Sequence, residues 1–155
     1  MRDRTDYEIL AALLKNGRLS NKELAAKVRL APSSCLERVR RLWESGVLKG
    51  FHAELDRRAL GTHLEAMISV RLERHSRGAV ESFRAHVLSL PETVRVYHTA
   101  GANDFLIHVA LRDADHLREL ALSAFTERPE VAHMETALLF EQADTYALPP
   151  WREGE

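Results

Sequence analysis

The chain has a single cysteine, Cys35, among its 155 residues. One thiol excludes an intrachain disulfide framework and agrees with a reducing compartment. No window comes near 18 continuous apolar residues, so no membrane-spanning helix is expected. The stretch Met1-Arg-Asp-Arg-Thr-Asp6 is charged and lacks an apolar signal core, which makes a cytoplasmic location the expectation. There is no His-x-x-x-His or Cys-x-x-Cys spacing and no catalytic constellation, so no metal, other cofactor or catalytic residue is expected. Lysine is scarce and confined: Lys15, Lys22, Lys27 and Lys49 are the only four. Net charge is also nearly absent, at −1, but this hides an asymmetry. Residues 1–60 hold 13 Lys+Arg against 8 Asp+Glu, and residues 61–155 hold 9 against 15. A basic first part and an acidic second part suggest two domains, with a polyanionic partner for the first only.

What is present begins with three helical patterns. Thr5 or Asp6 can cap a first helix in which Tyr7, Ile9, Leu10, Leu13 and Leu14 recur at helical spacing, and Asn16-Gly17 ends it. Ser20-Asn-Lys-Glu23 reads as a capping box for a second helix carrying Leu24, Ala25 and Val28. A short connection, Arg29-Leu-Ala31, leads to Pro32 at the first position of a third helix. This is a helix-turn-helix layout, with the third helix in the recognition position. Val47–Phe51 and His52–Leu55 read as a small hairpin or wing. The expected boundaries are a DNA-binding domain over 1–52 and a hairpin and linker over 53–64.

The third helix has two faces. Leu36, Val39, Leu42 and Trp43 are expected inward. Ser33, Ser34, Glu37, Arg38 and Arg41 fall on the other side, where hydroxyls and arginines can read bases in a major groove of double-stranded DNA. Lys22, Lys27 and the starts of the second and third helices (Ser20, Asn21 and Pro32) are expected to hold phosphates. Cys35 reads as a small packing residue of this helix.

Beyond residue 60 the pattern changes. Ala66–Leu72 is a strand, Gly78–Ser89 an amphipathic helix, and Val94–Ala100 a strand. After the turn Gly101-Ala-Asn103 comes an apolar strand, Asp104–Leu111. A helix over Asp113–Thr126 and a strand over Val131–Phe140 complete β-α-β-β-α-β, the ferredoxin-like order. The fold class is therefore α+β, with this second domain over 65–142. The strand from Phe105 is apolar on both faces, so the sheet face away from the helices also calls for burial, most simply against a second copy. A homodimer is expected. Residues 143–155, with Pro149-Pro-Trp151, read as an arm laid on a neighbouring subunit or partly disordered.

The run Thr5-Asp-x-x-Ile9-Leu10, Asn16-Gly-Arg-Leu-Ser20, Glu23-Leu-Ala25, Leu30-x-Pro-Ser-x-Cys35-Leu-x-Arg-Val-x-Arg-Leu42 and Gly46-Val-Leu-x-Gly50-Phe51 resembles the Lrp/AsnC family of transcription regulators. Five residues depart from that family: Arg29 stands where Gly is usual in the turn, Ala31 where Ser usually caps the third helix, and Ala100, Asn103 and Met134 differ from its usual ligand-site residues. The resemblance extends through the second domain. It implies a regulator whose dimers assemble further, for example into octamers, and whose small effector, usually an amino acid, sits between dimers. The effector residues it implies are Thr99, Gly101, Asn103 and Asp104 in the turn, with Met134 and Thr136 on the last strand. Asp104 would take a ligand ammonium, and Gly101 would admit backbone amides to a carboxylate. Haem-pathway decarboxylases of the siroheme type resemble the same two-domain fold, and an amino-acid sensor without DNA binding is a third alternative.

Overall fold

A computed structural model describes residues 3–148, so Pro149–Trp151 of the expected arm lie outside the described residues. The chain divides into two compact units, one running to Glu54 and taking in the segment from Ala143, the other Leu55–Gln142.

In the first unit, α1 spans Arg4–Lys15, α2 Asn21–Lys27 and α3 Pro32–Glu44. The cap of α1 is Asp3, not Thr5 or Asp6. Asp3 accepts the Asp6 N–H at 2.9 Å, and Asp6 accepts the Asp3 N–H at 3.2 Å. Asp6 is therefore the third-position partner of the cap. Gly17 does not end α1. The chain leaves the helix through Asn16 in extended conformation, and the Asn16 side chain accepts from Arg18 N–H at 3.0 Å. A Cβ at Gly17 would lie 2.8 Å from the Phe51 ring, so any other residue there displaces that ring. The capping box of α2 forms as expected: Glu23 takes the Ser20 N–H at 2.8 Å and Ser20 Oγ takes the Glu23 N–H at 3.3 Å.

Ile9, Leu13, Leu24, Ala25, Val28, Cys35 and Leu42 form the core of this unit. The inward stripe of α3 is Cys35, Val39 and Leu42, at i, i+4 and i+7. Leu36 and Trp43, expected inward, are 58% and 48% exposed. Each sits one residue, about 100°, round from that stripe. Trp43 instead stacks on Phe51, centroids 5.9 Å apart. Gly46, at φ 70, turns the chain after α3, and the N–H groups of Val47 and Leu48 both bond to the Leu42 carbonyl at 3.1 and 3.0 Å. Val47 and Leu48 are thereby folded back onto the core. The hairpin expected over 47–55 does not form, and those residues make no strand. The described part of the C-terminal segment belongs to this same unit. Tyr146 donates to the Glu54 carboxylate, and Leu148 lines a depression with Tyr7 and Ala11.

The second unit is an antiparallel sheet of β1 (Leu64–Leu72), β2 (Thr93–His98), β3 (Phe105–Leu111) and β4 (Val131–Leu139), with spatial order β2-β3-β1-β4. Two helices complete it. One is α4, Arg77–Ser89, capped by Ser76; the other is α5, Ala114–Leu120, which widens into a π-helical turn over Ala121–Thr126. This is the expected β-α-β-β-α-β order. Ala66, Ile68, Val70 and Leu72 of β1 and Phe105, Ile107, Val109 and Leu111 of β3 are buried with Phe83, Val87, Leu120 and Phe125 from the helices. Leu88, expected inward, is half exposed. On the opposite sheet face the cross-strand row is Arg95, His108, Met67 and Ala137, and the next row is Tyr97, Leu106, Ser69 and Glu135. That face is a mosaic and not uniformly apolar. His108 is buried on it and bonds Glu65 at 2.6 Å, while Leu106 and Ala110 stay half-buried.

Candidate nucleic-acid interface and ligand turn

The turn between α2 and α3 carries the strain that its sequence implies. Arg29 has φ 56, the left-handed region, and is the only non-glycine residue with positive φ among the described residues. A Cβ there costs roughly 1–2 kcal/mol. The Leu30 N–H closes the turn on the Ala25 carbonyl at 2.9 Å. Ala31 gives α3 no side-chain cap. In its place Asn21 of α2 donates to the Pro32 carbonyl at 2.8 Å, which pins the start of α3 to the start of α2. Ser33, Ser34 and Glu37 are exposed on α3, Pro32 lies exposed at its start, and Ser20 and Lys22 are exposed at the start of α2. Asn21 is half-buried by its bond to Pro32.

The two arginines expected as base readers are engaged within the chain. Arg38 places Nη1 at 2.9 and 2.8 Å from the two Asp3 oxygens and 2.8 Å from Asp6 Oδ1. Its side chain is only 27% exposed. Arg41 places Nη2 at 3.1 and 3.0 Å from the two Asp6 oxygens, yet its side chain is 60% exposed. Arg38 is thus a tie between α3 and the start of α1, not a free side chain, while Arg41 keeps an outward edge. Capping bonds from the Asp6 backbone, and then Arg38, hold the Asp3 carboxyl below the usual carboxylate range. Sequence reasoning missed both acids as partners because they lie 32 to 35 residues from the arginines they hold. Cys35 is fully buried, and burial pushes its thiol up.

In the second unit, the β2–β3 turn is held from within. Thr99 Oγ1 donates to the Asn103 carbonyl at 2.6 Å, and the Thr99 N–H to the Asp104 carbonyl at 2.8 Å. Gly101 has φ 142 and open space around its Cα, so the backbone angle and not crowding calls for glycine. Asp104, expected to take a ligand ammonium, is engaged within the chain. Its Oδ2 takes the Leu72 N–H at 2.8 Å and its Oδ1 lies 2.8 Å from His75 Nδ1. The carboxylate ties the start of β3 to the end of β1, and no local pattern marks His75, 29 residues away, as its partner. Met134 and Thr136 do not join this turn within one chain. They stand on β4, the far edge of the sheet from β2, where they pair with Val70 and Ile68 of β1. Adjacent strands lie about 4.8 Å apart, so β4 is roughly 10 Å from β3. Met134 packs against the core, and Thr136 is exposed.

Among the described residues no group of His, Cys, Asp and Glu could hold a metal, and no helix is long and apolar enough to cross a membrane.

Residues 2–49 match the winged helix-turn-helix DNA-binding family, and residues 65–148 match the Lrp/AsnC ligand binding domain. The chain is 44% identical over 139 residues to the HTH-type transcriptional regulator AldR of Mycolicibacterium smegmatis, spanning 90% of this chain and 81% of that protein. It is 34% identical over 140 residues to the leucine-responsive regulatory protein of Salmonella typhimurium, spanning 90% and 85%. Among solved structures, a transcriptional regulator of Neisseria meningitidis in complex with L-Met superposes with a TM-score of 0.88 at 30% identity, covering 96% of this chain and 97% of that one. AsnC of E. coli gives 0.83 at 25% identity, covering 97% and 99%. With a helix-turn-helix unit in front and a ligand-binding unit behind, both matched along their length, the chain belongs to the Lrp/AsnC family of transcriptional regulators.

Proposed function

We propose that this regulator binds specific sites on double-stranded DNA through α3, as a homodimer that assembles further, and that a small effector, an amino acid, modulates that binding. The observation that carries the DNA reading is the exposed face of α3. Ser33, Ser34 and Glu37 from its first turns and the outer edge of Arg41 from its last turn line a helix locked to α2 through Asn21. Such a face suits the major groove, with Lys22 and the helix starts on phosphates. Two copies would set two recognition helices in successive grooves.

The effector reading rests on the glycine turn Ala100–Asn103, exposed at Ala100, Gly101 and Ala102, and on the relative crystallised with L-Met. Since the turn and Met134 with Thr136 lie apart in one chain, a site using both needs residues from more than one copy. The relatives' names as transcriptional regulators support a non-enzymatic role over the decarboxylase alternative.

Two measurements test the reading. Affinity for duplex DNA should fall steeply with salt, as counterion release requires; flat or absent binding counts against α3. A thermal-shift screen of the twenty amino acids should raise the melting temperature for one chemical class, since a ligand binding only the folded state stabilises it by mass action. No shift with any of them removes the amino acid from the proposal.

A further inference from the structure

We propose that Asp6, with Asp3 beside it, is a positioning residue for DNA recognition. It anchors one corner of the Arg41 and Arg38 guanidinium groups and so presents the outer edge of Arg41 from the exposed face of α3. This rests on the reading of α3 as the recognition helix.

Asp6 is 1% exposed and fully engaged. Oδ1 takes Arg38 Nη1 and Arg41 Nη2, and Oδ2 takes Arg41 Nη2 and the Asp3 N–H. All the acid contacts pass through one terminal nitrogen of each arginine, Nη1 of Arg38 and Nη2 of Arg41. The guanidinium is a rigid planar fork, so holding one terminal nitrogen narrows the directions open to the rest. Arg38 alone, more deeply placed, suffices to tie α3 to α1. Arg41 is 60% exposed and meets only Asp6, which Arg38 already holds, so the tie does not depend on it. Its hold on a buried carboxylate has a different consequence. A long side chain that would otherwise sample many rotamers at the exposed face is ordered before any partner arrives. An arginine ordered in advance loses less freedom on meeting the paired acceptors of a guanine edge. The charges point the same way. Two carboxylates face two guanidinium groups, so the cluster adds no net pull on phosphate, and its contribution is to direction and therefore to sequence preference.

The test uses the full chain. Wild-type protein is carried through rounds of selection on random-sequence duplex DNA. Affinities for the selected duplex and a scrambled one are then compared at fixed salt by fluorescence anisotropy. For Asp6→Asn we expect the ratio of the two affinities to fall about tenfold while scrambled-duplex binding stays within about twofold. An unchanged ratio in a folded Asp6→Asn overturns the proposal. So does an equal rise in both affinities, because the acids would then be competing with phosphate and not aiming arginine. Should Asp6→Asn lose its cooperative melting, Asp6→Glu decides. Glutamate is a usual third-position partner in a capping box, so this variant keeps the α1 cap and the charge and displaces only the carboxylate that holds Arg41. A fall in its ratio of about threefold, within the range of one weakened base contact, supports the proposal; an unchanged ratio overturns it. If wild-type protein selects no sequence at all, the reading of α3 fails, and the proposal with it.

Discussion

At Arg29 a single side chain carries the cost of the turn between α2 and α3. Its φ of 56 is native to glycine, and the residue is exposed with no packing to offset the strain. Arg29→Gly removes roughly 1–2 kcal/mol of backbone strain and returns about 0.4–1 kcal/mol to the unfolded chain as entropy. We expect a net gain of about 0.5–1 kcal/mol in urea denaturation. If DNA affinity falls in the same variant, the strain is retained for a phosphate contact. Cys35 gives a second residue-scale expectation. The thiol is fully buried and burial pushes it up, so little thiolate is present at neutral pH. Alkylation of the native protein should be slow and limited by unfolding. Labelling as fast as that of the denatured chain would contradict the burial. The strained turn and the packing role of Cys35 were both legible in the sequence, because each follows from one residue's own chemistry. The role of Asp6 was not. Its meaning depends on two arginines more than thirty positions away, and no local pattern ties them together.

The elements follow the same rule. Helices, strands and their order were readable because amphipathic period and caps are local, and the Ser20–Glu23 box forms as written. The errors fall where a segment had to choose between neighbours. Val47 and Leu48 look like the start of a hairpin, but the Leu42 carbonyl takes both of their N–H groups and the α3 core takes their side chains. Leu36 and Trp43 look inward by composition, but Cys35 and Leu42 hold the buried stripe and Trp43 finds Phe51. The π-helical turn in α5 had no signature at all. Its Ala124 carbonyl is met by His86 of α4 at 2.8 Å, a partner only the assembled layer supplies. At this scale the α2 cap yields a pH expectation. Hydrogen bonds from the Ser20 side chain and backbone hold the Glu23 carboxyl below its usual range. A depressed carboxyl contributes stability above the unfolded value and loses it as pH falls through the folded one. Ser20→Ala removes the cap, at a cost of about 1 kcal/mol near neutral pH. The gap between variant and wild type in denaturant midpoint should narrow as pH drops below about 4.3. A gap that does not change with pH would mean that the Glu23 charge plays no part.

For the whole molecule, the question is what covers the second face of the sheet. β3 is buried at four alternate positions toward the helices, while Leu106 and Ala110 on its other side stay half-buried in the single chain. Leu106 sits between Tyr97 and Ser69, with Met67 and Ala137 in the neighbouring row. The buried polar pair of this face is satisfied, since His108 bonds Glu65, and the charged Arg95 and Glu135 stand on the edge strands β2 and β4, away from its centre. A mosaic of this kind, with apolar positions at its centre and its buried polar pair satisfied, suits a second copy of the same face. A two-fold interface would bring each residue to it twice. Leu106→Asp therefore places two unpaired carboxylates in one contact, and desolvating each costs at least a few kcal/mol. Dimer dissociation should strengthen by about 100-fold or more, a tenfold change being 1.4 kcal/mol. Sedimentation equilibrium on the full chain reads this directly: wild type as a dimer or a multiple of it, Leu106→Asp moving toward the mass of one chain. The single-chain fold should survive, since Leu106 lies outside the buried cluster formed by Phe105, Ile107 and Val109. A variant that melts cooperatively and still sediments with wild type would show that the chain associates through some other surface. The open face of the sheet would then remain to be explained by a different partner.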